Sequence, residues 1–247
     1  MKNSLKLKTK NLKLSLGFSL VELIMVISIF LVITAITLGN QAKFSSNILI
    51  TNLAYQIALA IREAQVYGIG SRQAIDGAVS TFRLGYGIHI NAPSNINAKT
   101  NTYVFFADRK QDGGTFNFHY DVANDGDIDV DLITLTQGQK IRNFCGLELG
   151  GSATDPDDWS CWQVDGLTQE FALNVVFIKP DPDAHIWGRY DNTGAYNEYA
   201  EAEILLESAL GDKCRRVRVS GSGQISVDPV TSNADTCLSA NETIQTQ

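Results

Sequence analysis

Near its start the chain is apolar on every side for longer than any folded core requires. The stretch "LGFSLVELIMVISIFLVITAITLG", Leu16 to Gly39, carries one charged residue, Glu22. As a helix, the 21 residues from Phe18 to Leu38 reach about 31 Å at ~1.5 Å per residue, close to the ~30 Å of hydrocarbon in a bilayer. The charge-free part, Leu23 to Leu38, reaches only about 24 Å by the same rise. A spanning helix therefore needs Glu22 at the membrane edge. Beyond Gly39 the pattern turns amphipathic: "NQAKFSSNILITNLAYQIALAIREAQVYG" has no proline and places Leu49, Leu53, Ile57, Ile61 and Ala64 three and four apart. Gly68 is the expected stop. Phe18 to Tyr67 then form one helix of about 75 Å, with Gly39 either a kink or a packing glycine.

From Ser71 onward the period falls to two. "TFRLGYGIHI", "TYVFFAD", "TFNFHYDV", "DLITLT", "QEFALNVVFI", "EAEILLES" and "CRRVRVSGSGQISV" are short, rich in aromatic and β-branched residues, and separated by Gly, Asp, Asn and Pro. The last is a hairpin pattern, with Val217 and Val219 alternating before "SGSGQ" and Ile225 and Val227 after it. The fold class is α+β: a long N-terminal α-helix, part membrane-spanning and part amphipathic, packed on a mostly antiparallel β-rich head. The expected divisions are 1–17, a basic leader; 18–39, the apolar helix; 40–67, its amphipathic continuation; and 68–247, the head.

Charge sharpens this division. The whole chain stands at −7, but Met1 to Gly17 holds five lysines (Lys2, Lys6, Lys8, Lys10 and Lys13) and no acid, which leaves the remainder at −12. A basic flank stays cytoplasmic, so the N-terminus is expected inside and the head outside. An ordinary secretory signal has an apolar core of roughly 7 to 15 residues and then a small-residue cleavage site. This run is longer and passes directly into a helical pattern.

"GFSLVE", Gly17 to Glu22, resembles the processing site of type IV prepilins and of the pseudopilins of type II secretion systems. The resemblance combines a Lys-rich leader, a glycine before the cut, phenylalanine first in the mature chain, glutamate fifth, and then an apolar helix. It implies cleavage between Gly17 and Phe18 by a prepilin peptidase that also methylates the new amine. It further implies storage in membrane lipid, an inner-membrane assembly platform, and other pilin or pseudopilin subunits as partners. Glu22 is then an assembly residue, its carboxylate pairing with the Phe18 amine of a neighbouring subunit. "LAYQIALAIREAQVYGI" and the C-terminal hairpin narrow the resemblance to GspH/FimT-type minor pilins and pseudopilins. The implied function is that of a structural filament subunit of a pilus or secretion system, not an enzyme. The alternative from another class is a membrane-tethered exported binding domain or enzyme.

Four cysteines, Cys145, Cys161, Cys214 and Cys237, fall in the part expected outside, where an even count suggests two disulfides. Sequential pairing closes the shortest loops, and all three connectivities remain open. In "YDVANDGDIDVD", Asp121, Asp125, Asp127, Asp129 and Asp131 surround Gly126, hard oxygen ligands that suit calcium. A solvated acidic turn fits the same residues. Lys213, Arg215, Arg216 and Arg218 form the only basic cluster outside the leader and are the candidate DNA contacts, as in some FimT-like subunits. Strand alternation puts Arg216 and Arg218 on one face and Arg215 on the other, and ion pairs with the chain's own acids compete for them. His89, His119 and His185 are scattered in sequence, with no nucleophile-elbow, phosphate-loop or HExxH pattern near them. Trp159, Trp162 and Trp187 suit either the core or a binding surface.

Overall fold

The computed structural model of the chain describes Gly17 and residues 19–70, 74–76, 79–81, 84–91, 101–109, 116–121, 126–161, 172–189 and 195–229. For 39–44, 74–76, 79–81 and 156 it describes the backbone alone. The leader residues 1–16, Phe18, Asp125, Trp162 and Cys237 lie outside the described residues. The fold is α+β, an N-terminal apolar helix and a mostly antiparallel sheet. Contacts divide the chain into two units, Met1–Lys43 and Phe44–Gln247.

Helix α1 is assigned over Leu20–Ile69 and includes Gly39. In chain order the strands are β1 (Ala74–Asp76), β2 (Val79–Thr81), β3 (Leu84–Asn91), β4 (Thr102–Arg109), β5 (Ile128–Thr134) and β6 (Lys140–Glu148). They continue as β7 (Trp159–Cys161), β8 (Ala172–Phe177), β9 (Ala184–Arg189), β10 (Tyr196–Glu207), β11 (Cys214–Ser220) and β12 (Ile225–Val227). β1 and β2 form a hairpin by themselves, and the other strands form one sheet in the order β12-β11-β10-β9-β8-β3-β4-β5, with β6 and β7 branching from β10. Every pairing among the described residues is antiparallel. The expected hairpin is β11 with β12, in register from Val217↔Val227 to Val219↔Ile225.

β10 organises the sheet because it is long enough to change partners. Its first residues, Tyr196 to Tyr199, pair with β9, and from Tyr199 to Glu207 it pairs with β6, with a register shift between Tyr199 and Glu201. The ring of Tyr199 sits at the changeover, and a Cβ at Gly146 or Gly188 would come 2.4 or 2.8 Å from that ring. Only glycine lets β6 and β9 pass so close to it.

One face of the sheet meets α1. Ile50, Leu53, Ala54, Ile57, Ile61 and Ala64 share a core with Tyr86, Ile88, Phe105, Val175, Phe177, Ile186, Ile204 and Val217, among others. The helical spacing is as expected, except that Ile50 takes the buried place and Leu49 is half-buried beside it. Two polar ties pin this part of the helix. Ser46 and Ser208 both donate to Asp212 Oδ1, at 3.1 and 2.8 Å. Buried Gln65 donates from Nε2 to the carbonyls of Pro182 and Gly223.

The structure corrects the sequence reading in three places. "TFNFHYDV" is not a strand where it is described: residues 116–121 are irregular, and Phe118 has φ 59°. Its amides go to side chains instead of a ladder, Phe118 N to Asp108 Oδ2, Tyr120 N to Asn174 Oδ1 and Asp121 N to Asp127 Oδ2. Strands β1, β2, β6, β7 and β9 fall outside the expected strand-like stretches, apart from Thr81; in β6 a register shift opposite Leu205 and Leu206 breaks the two-residue period. The helix also passes through Gly68 and ends at Ile69.

Gly68 is therefore a contact glycine and not a stop, because a Cβ there would lie 2.4 Å from the Phe177 carbonyl oxygen. In an exposed helix Gly→Ala stabilises by about 1 kcal/mol. Here Gly68→Ala is expected to do the reverse and destabilise by about 1–3 kcal/mol, the usual cost of overpacking. Chemical denaturation of the two proteins in detergent checks the sign.

Candidate functional site

In the first unit, Leu20–Leu38 has a mean hydropathy of 2.6 and none of it is buried, which by length and composition suits a membrane span. An apolar helix in a signal sequence has the same property. Its large side chains, from Leu20 through Phe30 to Leu38, are all exposed, with no polar face between them. A helix apolar all round needs an apolar environment. The few hydroxyls in the run are satisfied by the helix itself: Ser28 donates to Met25 O, Thr34 to Phe30 O, and Thr37 to Ile33 O and Thr34 O. Such back-bonding removes the cost of placing a hydroxyl in hydrocarbon.

Glu22 lies in the first turn of this helix and is exposed. A carboxylate there is favoured by the positive end of the helix dipole. Gly17 is exposed just upstream, while Phe18 is outside the described residues. Glu22 therefore has the chemistry of an acceptor for a cation arriving at the helix start.

In the second unit, Cys145 and Cys161 form a disulfide between the paired strands β6 and β7, packed with Leu147 and Trp159. Trp159 is thus a core tryptophan. Cys214 is buried against Leu205 on the same side of the sheet; Cys237 is outside the described residues.

The arginines of β11 separate by face, as alternation requires. Arg216 and Arg218 both reach Glu203 of β10, with Nε to carboxylate distances of 3.5 and 3.4 Å, and Glu203 is fully buried. Arg218 also meets Asp228 at 3.7 Å. Arg215 turns the other way, donating to Asp228 O at 2.7 Å, with its guanidinium over the Tyr55 ring. A buried carboxylate left without cations is strongly destabilising, so these arginines are held to the sheet. That arrangement opposes their use on a phosphate backbone.

The acidic stretch divides similarly. Asp127 is buried, its Oδ1 accepting from Arg109 N and its Oδ2 from Asp121 N, both at 2.9 Å. Asp129 accepts from the Tyr120 hydroxyl at 2.6 Å, and Asp131 is exposed on β5. Among the described residues no group of three or more His, Cys, Asp or Glu side chains converges as a metal site would. These acids staple the segment before β5 to β4.

The three histidines, scattered in sequence, lie in one aromatic layer on the sheet face turned away from α1. His89 packs on Tyr120 at 4.7 Å, His119 stacks on Tyr196 at 4.2 Å, and His185 stacks on Phe118 at 4.3 Å. Trp187 lies beneath the same Phe118 ring. The irregular segment 116–121 brings these rings into place, and periodicity gave no signal for it. Buried Asn174 donates from Nδ2 to Trp187 O, so its Oδ1 accepts from His89, which puts the proton of the neutral ring on Nδ1. Burial depresses the His89 pKa to about 4; the Asn174 bond opposes this, Arg189 and His119 reinforce it, and Asp129 opposes it.

No family model matches the chain, and neither a curated protein nor a solved structure matches it.

His89 makes the fold sensitive to acid. Its pKa is near 6.5 unfolded and about 4 folded, so the unfolded state binds the extra proton first as pH falls. The stabilisation is complete above pH 6.5 and declines down to pH 4, by about 3 kcal/mol in all. Urea unfolding of the detergent-solubilised chain between pH 7 and 4 measures this slope, and His89→Phe should flatten it by that amount.

Proposed function

We propose that the chain is a pilin-like structural subunit, a minor pilin or minor pseudopilin of the GspH/FimT type. It is held in the inner membrane before assembly and enters a pilus or secretion filament after cleavage between Gly17 and Phe18. The observation that carries this reading is the single carboxylate, Glu22, in the first turn of a helix whose large apolar side chains are all uncovered, directly after "GFS" and a lysine-rich leader. A lone carboxylate is expensive in lipid, about 2.5–3.5 kcal/mol at a helix centre and less near the edge, and persists where it has a partner. The amine that cleavage would expose on Phe18 is the matching cation. Pairing Glu22 of one subunit with that amine on the next neutralises both charges as apolar helices gather.

The head supports the same assignment by what its charged groups do. Glu203, Arg216, Arg218 and Asp228 neutralise each other, and Asp127 holds backbone amides. Their contacts are those of a scaffold. Neither calcium nor DNA is needed to explain them.

Two measurements test the proposal. Mass spectrometry of the protein from its native host should show a mature chain beginning at Phe18; a chain retaining Met1 to Gly17 would favour the membrane-tethered binding domain or enzyme. Glu22→Ala should insert and be cleaved normally, yet its recovery in sheared filaments should fall at least tenfold, because the amine is left unpaired in an apolar setting. Wild-type recovery of this variant would remove the role assigned to Glu22.

A further inference from the structure

β5 ends the sheet: it is hydrogen-bonded to β4 alone among the described residues. It is also exposed along nearly its whole length, with Val130 at 43% and Leu132 at 61%. Between β5 and the outer side of α1 runs a groove of about 740 Å³, within the ~300–1,000 Å³ typical of ligand clefts. Asn52, Gln56 and Glu63 of α1 form one wall, Asp131 and Thr134 of β5 form the other, and Tyr103 lies at the floor. Among the described residues no lysine, arginine or histidine lines it.

These features select an occupant. An open strand edge offers main-chain donors and acceptors to an incoming extended segment, and the adjoining groove receives alternate side chains of that segment. Glu63 and Asp131 are both exposed and carry charge of one sign on opposite walls. Both also reinforce the effect of burial in raising the Tyr103 pKa to about 12, which places their field at the groove floor. A second β5 from another copy would bring its own Asp129 and Asp131 to this edge, adding negative charge to negative charge. The acidic body, at −12 without the leader, adds to that repulsion.

We propose that β5 and the groove beside it take up an extended, lysine- or arginine-bearing segment of a different protein as an added strand. The seven residues of β5 offer about 23 Å of edge at ~3.3 Å per residue. Of its alternating side chains, the cations turn into the groove and meet Glu63 and Asp131, and the apolar ones turn to the opposite face of β5, beside exposed Leu132. The negative edge excludes acidic strands and copies of the chain itself.

The test uses the full-length chain in non-ionic detergent and a labelled, end-capped heptapeptide alternating valine and lysine, with the valine–glutamate peptide as its counterpart. The lysine peptide should bind saturably and more weakly at high salt, the glutamate peptide should not bind, and amide exchange should slow at residues 128–134. Proline at the peptide's central valine should abolish binding, which separates strand addition from simple charge attraction. The double variant Glu63→Lys with Asp131→Lys should lose at least tenfold in affinity for the lysine peptide and gain affinity for the glutamate peptide. Should that variant fail to fold by circular dichroism, the salt, proline and exchange measurements on the unaltered chain decide. Equal binding of both peptides, binding indifferent to proline, protection elsewhere, no binding, or an edge-to-edge dimer in sedimentation would each overturn the proposal.

Discussion

A sheet this wide has two faces to keep from water, and among the described residues of the second unit one α-helix covers one of them. Residues 50 to 64 of α1 close the inner face with a single stripe of isoleucine, leucine and alanine. Small residues at Ala54 and Ala64, and glycine at 68, let the helix approach the strands closely. Among the described residues the outer face is covered by other groups. The aromatic segment 116–121 lies over β3, β4 and β9. The Cys145–Cys161 disulfide and Trp159 cover β6. The Glu203 ion network fills the place beside β11.

These covers are polar or covalent where a helix would be apolar. Each buried polar atom must then find a partner, and the hydrogen bonds at Asp108, Asn174 and Asp127 are of that kind. Burying His89 as a neutral ring has the same origin, since it sits under Tyr120 with its Nδ1 held by Asn174. Acid sensitivity is thus a consequence of how the second face is closed.

In the first unit the constraint is inverted. Leu20 to Leu38 has no covering surface of its own, and every hydroxyl within it is already bonded to its own helix. Glu22 alone remains polar and unanswered by neighbouring turns. The chain thus carries two opposite kinds of surface, an apolar helix with a single charge to satisfy and a hydrogen-bonding strand edge framed by charges of one sign.

Period and composition sufficed for the α+β class, the apolar and amphipathic stretches of α1, and the β11–β12 hairpin, because each depends on near neighbours in the chain. The prepilin-like motif at Gly17, Phe18 and Glu22 is likewise contiguous. Strand β6 escaped because its bulge, set by pairing with β10, breaks the alternation, and 116–121 looked like a strand because aromatic residues suit either a ladder or a cover. Only the tertiary structure gathered the three histidines, divided Arg215 from Arg216 and Arg218, and made Gly68 a point of contact. Those outcomes depend on groups far apart in sequence meeting across the sheet, where desolvation and close approach, and not local propensity, set what each residue does.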